Sequence, residues 1–252
     1  MATVSGRRNL SADGFATIVR EVTYPMEILV LNRPQIFLYR KEHRLAKRAL
    51  DVAVCLAIMP LAVVAMVVIA IAILLDSPGP VLFVQERAGR GGRRFRMYKF
   101  RTMKRDYEDR ASREFMKAFV SGMINQDNNG NNGRAVYKPN HRAQITGVGR
   151  ILRKTSMDEL PQIINVLKGE MSLVGPRPNV PWEVEVYRGW HNERLEVLPG
   201  ITGLAQVRGR SGISFDRIVQ YDIEYIENQS LKLDLQILWW TALSVVYGSG
   251  AG

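Results

Sequence analysis

The feature that most constrains this 252-residue chain is an uncharged apolar run, VAVCLAIMPLAVVAMVVIAIAILL, at residues 52–75. An α-helix rises about 1.5 Å per residue, so a helix of this length can cross a hydrocarbon core of about 30 Å. The simplest interpretation of the run is therefore a single helix that spans a membrane.

Pro60, about a third of the way along the run, argues against a plain spanning helix. A proline lacks the N–H that a helix interior needs, and its ring clashes with the preceding turn, so it kinks or breaks the helix. Neither leg of a broken helix would be long enough to cross the bilayer alone. The sequence therefore predicts a helix–break–helix that enters the membrane and returns.

Basic residues flank the run on both sides, and cytoplasmic flanks are the ones that collect Lys and Arg. A re-entrant helix would keep both flanks on one face, against anionic headgroups, if the backbone groups freed at the break find partners within the protein. A spanning helix would separate them. The flanking basic residues are Arg40, Lys41, Arg44, Lys47 and Arg48 before the run, and Arg87, Arg90, Arg93, Arg94, Arg96, Lys99, Arg101, Lys104 and Arg105 after it.

The charge balance points to a polyanionic partner. The chain has 35 Lys and Arg against 24 Asp and Glu, for a formal net charge of +11, which suits nucleic acid, an anionic membrane or a phosphorylated substrate. Cys55 is the single cysteine, so a disulfide within one chain is excluded and a reducing compartment is favoured. Three separated histidines give no zinc spacing, and residues 1–20 lack the apolar core of a signal peptide.

The segment after the apolar run, residues 76–103, predicts a small β-ribbon. A turn, SPGP, precedes the strand-like VLFVQE, and a second turn leads into FRMYKFRTM, which alternates apolar and basic residues. The alternation places Phe95 and Met97 on the inner side, with Phe100 as a further candidate. The basic face is either merely solvated or attracts phosphate next to the membrane.

The rest of the chain reads as mainly helical. Residues 104–120 and 216–227 predict helices, whereas the Asn- and Gly-rich stretch near 121–134 predicts a disordered loop. Residues 231–248 are apolar but too short and interrupted for a confident span. Trp239 and Trp240 there suit a membrane–water interface, and the alternative is a helix packed in the soluble core.

The stretch KTSMDELPQ, residues 154–162, places two acids in this basic chain. Ser156 and Glu159 match a capping box at a helix start. With Ser156 as N-cap, Pro161 would fall at the fifth helical position and lose a hydrogen bond. With Asp158 as N-cap it would fall at the third, where none is lost, which favours the second register. In either register the acids lie on the first turn, and a structural cap needs no catalysis.

The surroundings of Asp158 and Glu159 also support a chemical role. A helix N-terminus close to Arg150, Arg153 and Lys154 would hold both carboxylates ionised. An ionised carboxylate can attack phosphorus when cations neutralise the target. Two adjacent acids can also hold Mg²⁺, which takes oxygen ligands. The stretch therefore supplies a candidate nucleophile, a metal site and an anion clamp.

A second candidate is GPRP, residues 175–178. Pro176 and Pro178 restrict the backbone on either side of Arg177, which would orient a guanidinium for two-pronged contact with phosphate or carboxylate. A rigid turn with no ligand is the alternative. Arg208 and Arg210, towards the end of the Gly/Pro turn segment at 198–212, form a similar but weaker signal.

Taken together, the motifs resemble a known family. KRALDVAV…P, GPVLFVQERAGRGGRRFRMYKFRTM, LRKTSMDELPQIINVLKGEMSLVGPRP, LPGITGLAQVRGR and YDIEYIENQSLKLDLQILWWT occur in the order seen in the monotopic phosphoglycosyl transferases, or bacterial sugar transferases. The match runs from about residue 47 to the end, without the Asn-rich loop. Many relatives carry Ser where this chain has Met59, and a D-P-R-like stretch where it reads NHRAQ.

The resemblance implies a reaction and roles for individual residues. Members move a sugar-1-phosphate from a UDP-sugar to undecaprenyl phosphate, and Asp158 would be the nucleophile that carries the phosphosugar covalently. Glu159 would help to position Mg²⁺ and the diphosphate. Arg153 matches an arginine near bound phosphate, and Arg177 matches one on the nucleotide side. The fuller resemblance, which includes the C-terminal LWWTALSVVYG, is closer to exopolysaccharide-initiating members that use UDP-glucose or UDP-galactose.

The resemblance also implies an architecture: an α+β, mainly helical fold with a compact cytoplasmic catalytic domain, a small β-ribbon, a re-entrant membrane helix broken at Pro60 and interfacial amphipathic helices. The expected divisions are an N-terminal extension at 1–45, the membrane helix at 46–76 and the catalytic domain at 77–252. The protein would lie at the bacterial inner membrane, facing the cytoplasm, with anionic inner-leaflet lipids around it and no nucleic acid; a homodimer is one option for its assembly.

A hypothesis from a different class remains open on the residues alone. The chain would then be a basic peripheral membrane or nucleic-acid-binding protein, and the acidic pair would only cap a helix. No recognised nucleic-acid-binding motif accompanies the basic stretches, which disfavours the nucleic-acid version.

Overall fold

The computed structural model describes residues 41–104, 110–123, 144–209 and 213–246. The predicted extension therefore lies outside the described residues up to residue 40, and so does the Asn-rich loop from residue 124 onward. Within the described residues the chain is mainly helical with two small sheets. The predicted α+β, mainly helical class is confirmed at this level.

The apolar run forms the centre of a long first helix, α1, Lys41–Asp76. It begins five residues before the predicted start at 46, because the basic flank continues the helix. The helix stays helical through Pro60, so the predicted break in helical conformation is not seen there; a helix can accommodate a proline by bending. By length and composition alone, α1 is the one helix among the described residues that could cross a membrane.

Both ends of α1 contact the rest of the protein. Near the start, the carboxylate of Asp51 accepts a hydrogen bond from the backbone N–H of Leu173 at 3.1 Å. At the end, the carboxylate of Asp76 accepts one from the N–H of Val148 at 2.9 Å, and Ile73 is buried against the domain. The segment between these anchors is largely exposed. Its most exposed large side chains are Leu56, Leu61, Val64, Val68 and Leu75.

The predicted ribbon is confirmed. Strands β1, Leu82–Ala88, and β2, Arg94–Phe100, pair antiparallel, with Leu82 opposite Phe100 and Ala88 opposite Arg94. Three residues of a 3₁₀ turn, Arg90–Gly92, connect them. The side chains predicted to face inward, Phe95, Met97 and Phe100, are all buried.

The remaining elements are short except for two helices near the C-terminus. The helix predicted at 216–227 is confirmed as α7. In chain order the elements are α2 (Arg110–Val120), α3 (Gly147–Thr155), a 3₁₀ turn (Met157–Glu159), α4 (Gln162–Lys168), β3 (Ser172–Val174), α5 (Pro181–Val184), a 3₁₀ segment (Gly189–Leu195), β4 (Gly200–Thr202), α6 (Leu204–Arg208), α7 (Phe215–Glu227) and α8 (Leu231–Val246).

The second sheet was not predicted from the sequence. Strands β3 and β4 pair in parallel, with Ser172 opposite Gly200 and Val174 opposite Thr202. Each strand is only three residues long. β4 lies in the stretch 198–212, which reads as a turn, and β3 lies just before the GPRP segment, where no strand was predicted. Their backbones approach so closely that a Cβ on Gly200 would overlap the backbone nitrogen of Gly175. The pairing sets the GPRP segment, which follows β3, against the start of β4.

Helix α8 combines both interpretations of the C-terminal apolar segment. Ile237 is fully buried in the main core, and the buried Asp234 forms an ion pair of 2.8 Å with Lys47 of α1. Leu235 and Trp239 are exposed on the other side. The helix is therefore packed on the domain through one face and presents apolar side chains on the other.

Candidate active site

The two acids lie in a tight turn between helices rather than on the first turn of one helix. Helix α3 ends where Ser156 adopts a left-handed conformation, with φ 56°. Asp158 and Glu159 then form a 3₁₀ turn, and α4 begins at Gln162 with Pro161 as its N-cap residue. Neither predicted register therefore describes the start of α4. Ser156 is the N-cap residue of the 3₁₀ turn instead, and it makes no side-chain capping bond. The left-handed residue stops α3, and the proline stands where no N–H is required.

Glu159 is held by two cations. Its Oε1 lies 2.7 Å from Lys99 Nζ and 3.5 Å from Arg177 Nη1. Lys99 and Glu159 keep only 14% and 19% of their side chains exposed. Burial raises the pKa of Glu159, but the charges of Arg177 and Lys99 outweigh it and hold the pKa below its ordinary value. The lowered pKa agrees with the predicted ionisation of Glu159. The charges responsible, Arg177 and Lys99, are not the ones that the prediction named.

Asp158 has a different environment. It is half-buried, and burial raises the pKa of its carboxyl above the ordinary value, with a further contribution from the charge of Glu159. Lys99 and Arg153 act in the opposite direction without cancelling the increase. The effect of burial on the pKa of Asp158 is therefore larger than the effect of its basic neighbours, which were expected to keep it ionised. Partial desolvation leaves a carboxylate that is less stabilised by solvent and so more basic.

Two of the predicted arginines on α3 occupy different places. Arg153 Nε donates to Thr102 Oγ1 at 2.9 Å, and its charge lowers the pKa of Asp158. Arg150, one turn earlier, is exposed. The structure therefore brings Arg153 to the acidic pair, and the assignment of Arg150 to phosphate binding stays a prediction.

The GPRP segment reaches the acidic pair through its arginine. Arg177 stands between Pro176 and Pro178, with 54% of its side chain exposed and Nη1 near Glu159. The carbonyl of Pro178 accepts a hydrogen bond of 3.0 Å from Arg87 Nη1. The predicted guanidinium and the carboxylate of Glu159 are therefore neighbours in space.

A small cleft opens beside Glu159. Its lining includes three cationic side chains and comes from six different elements and loops. The lining residues are Arg87, Met97, Lys99, Glu159, Gln162, Arg177, Pro178, Gly200 and Ile201.

Lys99, Arg87 and Gln162 were not identified as site residues from the sequence. A signal for Lys99 existed, because the two-residue period of a strand puts it on the same face as Phe95 and Met97. Arg87 stands opposite Phe95 in the ribbon and so shares that face. Nothing in the sequence near Gln162 marks it as a lining residue.

Arg208, predicted to bind substrate, has its described contacts elsewhere. Its Nη1 lies 2.5 Å from Glu224 Oε1, and its guanidinium lies 5.9 Å from the ring of Trp240. These contacts face α7 and α8. The substrate-binding assignment of Arg208 stays a prediction, and Arg210 lies outside the described residues.

The donor set at the acidic pair is compatible with Mg²⁺. The described residues contain no group of three or more His, Cys, Asp or Glu placed to hold a metal ion. Mg²⁺, however, commonly binds through one or two carboxylates and takes its remaining ligands from water and substrate phosphates. Asp158 and Glu159 supply two adjacent hard oxygen donors of that kind, although Lys99 engages one oxygen of Glu159.

A long apolar helix, together with a cleft lined by three cationic side chains and Glu159, is compatible with a membrane-associated protein that binds an anionic ligand. The chain belongs to the bacterial sugar transferase family, whose model matches residues 42–248.

Curated relatives agree with the family assignment. The chain is 40% identical over 215 residues to the galactosyl transferase CpsE of Streptococcus agalactiae, covering 84% of this chain and 45% of that protein. It is 38% identical over 227 residues to the undecaprenyl-phosphate galactose phosphotransferase of Salmonella typhimurium, covering 88% and 45%. It therefore spans somewhat under half the length of these two relatives. The chain is also 36% identical to the exopolysaccharide production protein ExoY of Sinorhizobium fredii. This alignment covers 82% of this chain and 88% of that protein, so here it spans most of the relative.

Proposed function

We propose that the protein transfers a sugar-1-phosphate from a UDP-sugar to undecaprenyl phosphate. The observation that carries the proposal is the half-buried Asp158 next to Glu159, whose carboxylate is fixed by Lys99 and Arg177. The family membership and the name of the Salmonella relative support the lipid acceptor. UDP-galactose or UDP-glucose is the proposed donor, and the names of two relatives favour galactose.

In the first step, a carboxylate oxygen of Asp158 attacks the β-phosphorus of the donor. The bond from that phosphorus to the bridging oxygen breaks, UMP leaves with the electron pair, and the sugar phosphate stays bound to Asp158 as an acyl phosphate. The raised pKa of Asp158 makes it a better nucleophile than an ordinary aspartate once it is ionised. Lys99 and Arg177 lower the electrostatic repulsion that would otherwise keep a carboxylate from a phosphate.

In the second step, a phosphate oxygen of undecaprenyl phosphate attacks the same phosphorus. The bond to Asp158 breaks, and the carboxylate is restored as undecaprenyl diphosphate sugar leaves. Asp158 and Glu159 would hold Mg²⁺, which supplies charge neutralisation at the diphosphate. Arg153, oriented by Thr102, would contact the phosphates from the α3 side.

The first step is tested with detergent-solubilised protein, Mg²⁺, undecaprenyl phosphate and each UDP-sugar. We expect UMP release that Asp158→Asn abolishes while membrane binding survives. Asp216→Asn, a carboxylate paired with Arg188 outside the site, should retain release. Intact mass after incubation with donor alone should show the wild type heavier by one sugar phosphate and Asp158→Asn unchanged. Undiminished turnover in Asp158→Asn would exclude the nucleophile assignment.

We also propose that α1 enters the bilayer from the cytoplasmic side and returns. The support is that Asp51 and Asp76, near the two ends, bond to the same domain, while the apolar segment between them is largely exposed. The exposed Leu235 and Trp239 of α8 would lie at the interface, and the basic flanks would face anionic lipids. Tags inserted at residues 5 and 130 should both be protected in sealed right-side-out cells. A tag that is accessible from outside would show that α1 spans.

A further inference from the structure

Three consecutive backbone carbonyls of the GPRP segment are held by donors from three different parts of the chain. Between them these donors fix the backbone on both sides of Arg177, whose own side chain is half-exposed. The bonds are Gly200 N–H to Pro176 O at 2.9 Å, Arg194 Nη2 to Arg177 O at 3.2 Å and Arg87 Nη1 to Pro178 O at 3.0 Å.

Arg194 differs from the other two donors because it is a buried cation. Its side chain is 2% exposed, and Nη2 also lies 2.6 Å from Asp222 Oδ2 on α7. Nη1 donates to the hydroxyl of Tyr187 at 3.3 Å. One guanidinium therefore joins the buried carboxylate, the phenol and the carbonyl of Arg177.

A buried ion pair of this kind is a poor way to gain stability alone. Desolvation of both charges offsets most of the attraction, and apolar residues of similar size often stabilise a core as well or better. What an apolar pair cannot do is donate to a carbonyl in a fixed direction, as the planar guanidinium does. Among the contacts of Arg194 described above, the bond to the backbone of Arg177 is the one that connects the buried pair to the site.

We propose that the buried Arg194–Asp222 pair is a positioning device that sets the place of Arg177 next to Glu159. Arg194 acts through Arg177 and does not itself touch the reacting atoms. The kinetic part of the inference rests on the proposed sugar-phosphate transfer; the structural part does not.

The chain contains a matched control. Arg188 and Asp216 form a second ion pair of 2.7 Å, which joins the residue flanking the same 3₁₀ segment to the same helix α7. Arg188 also donates to the carbonyl of Ser121 rather than to that of Arg177. Substitution of Arg188 therefore loosens the same two elements, and none of its described side-chain bonds is to the GPRP backbone.

The kinetic experiment combines Arg194→Lys with Arg177→Ala. Lysine keeps a charge for Asp222 but loses the planar fork. We expect Arg177→Ala to lower kcat/KM for the donor by about tenfold to a hundredfold, the cost of a lost charged hydrogen bond. Arg194→Lys should lower it by about tenfold in the wild type and cause no further loss when Arg177 is already alanine. Arg188→Lys should have the same small effect in both backgrounds. Multiplicative losses from Arg194→Lys and Arg177→Ala would overturn the proposal.

Hydrogen exchange is a second measurement of the positioning role, and it does not depend on enzymatic activity. Hydrogen exchange at the amide of Gly200, which donates to Pro176 O, should become faster in Arg194→Lys and stay unchanged in Arg188→Lys. If the wild type transfers no sugar phosphate, the proposed function fails and the exchange result still decides the positioning role. Unchanged exchange at Gly200 would overturn that role. Should Arg194→Lys not fold, Asp222→Asn takes its place in both measurements, with the same expected and contrary results.

Discussion

The ion pair between Lys99 and Glu159 allows a quantitative test of the site's construction. Lys99→Met keeps the length and most of the packing of the side chain but removes the charge that lies 2.7 Å from Glu159 Oε1. Glu159 would then retain Arg177, at 3.5 Å and half-exposed, and the charge of Arg87, which also lowers its pKa. We expect Lys99→Met to lower the free energy of unfolding.

The magnitude follows from the burial of the pair. Removing one partner of a fully buried pair costs about 3–5 kcal/mol, because the other charge is left without compensation. Here both side chains keep some exposure and Arg177 remains, so we expect about 2 kcal/mol. For a chain of this size, that corresponds to a decrease in Tm of about 4–8 °C. The double variant Lys99→Met with Glu159→Gln should be no less stable than Lys99→Met, since neither charge is then buried alone.

The assay is thermal unfolding in detergent at pH 7 of the wild type, both single variants and the double variant. The coupling between Lys99 and Glu159 should be present above the ordinary pKa of Glu159, 4.5, and be lost as pH falls through its lowered folded value, since protonation removes the carboxylate charge. The exposed pair of Arg208 and Glu224 is the control, with an expected coupling below about 1 kcal/mol. Strictly additive effects of Lys99→Met and Glu159→Gln would refute the reasoning.

Three further predictions follow from the geometry of the site. The acid limb of the kcat/KM profile should lie above the ordinary aspartate pKa of 3.8, because burial raises the pKa of the nucleophile Asp158. Lys99→Met should move that limb to still higher pH, because it removes a charge that lowers the pKa of Asp158, and a shift to lower pH would contradict the assigned environment. Gly200→Ala should lower the free energy of unfolding by about 2–3 kcal/mol, because its Cβ would overlap the backbone of Gly175. An unchanged Tm in thermal unfolding would mean that β3 and β4 are not this close. Ser156→Gly should stabilise by about 0.5–1 kcal/mol, because glycine adopts the left-handed conformation without strain, whereas Ser156→Val should destabilise.

Local patterns were sufficient for several elements. The period-two alternation predicted the ribbon and the buried Phe95 and Met97, and the uncharged run predicted the long apolar helix, because both depend on residues a few positions apart. The same reasoning failed at KTSMDELPQ, where Ser156 and Glu159 match a capping box but form a tight turn between two helices. A left-handed Ser156 is not marked by its residue type, since it is set by how α3 and α4 pack around the turn.

What the sequence by itself determined is the chemistry available: an acidic pair among basic residues, a proline-flanked arginine and a membrane-compatible helix. Only the tertiary structure decided which charges meet. Lys99 and Glu159 are 60 positions apart, and the partner of Arg194 on α7 has no local signal either. A helix or strand period depends on neighbours along the chain, whereas the pKa of a carboxylate depends on burial and on charges within a few ångströms. Those are set by how distant segments pack, and so the opposite shifts at Asp158 and Glu159 follow from the fold rather than from their adjacent places in the sequence.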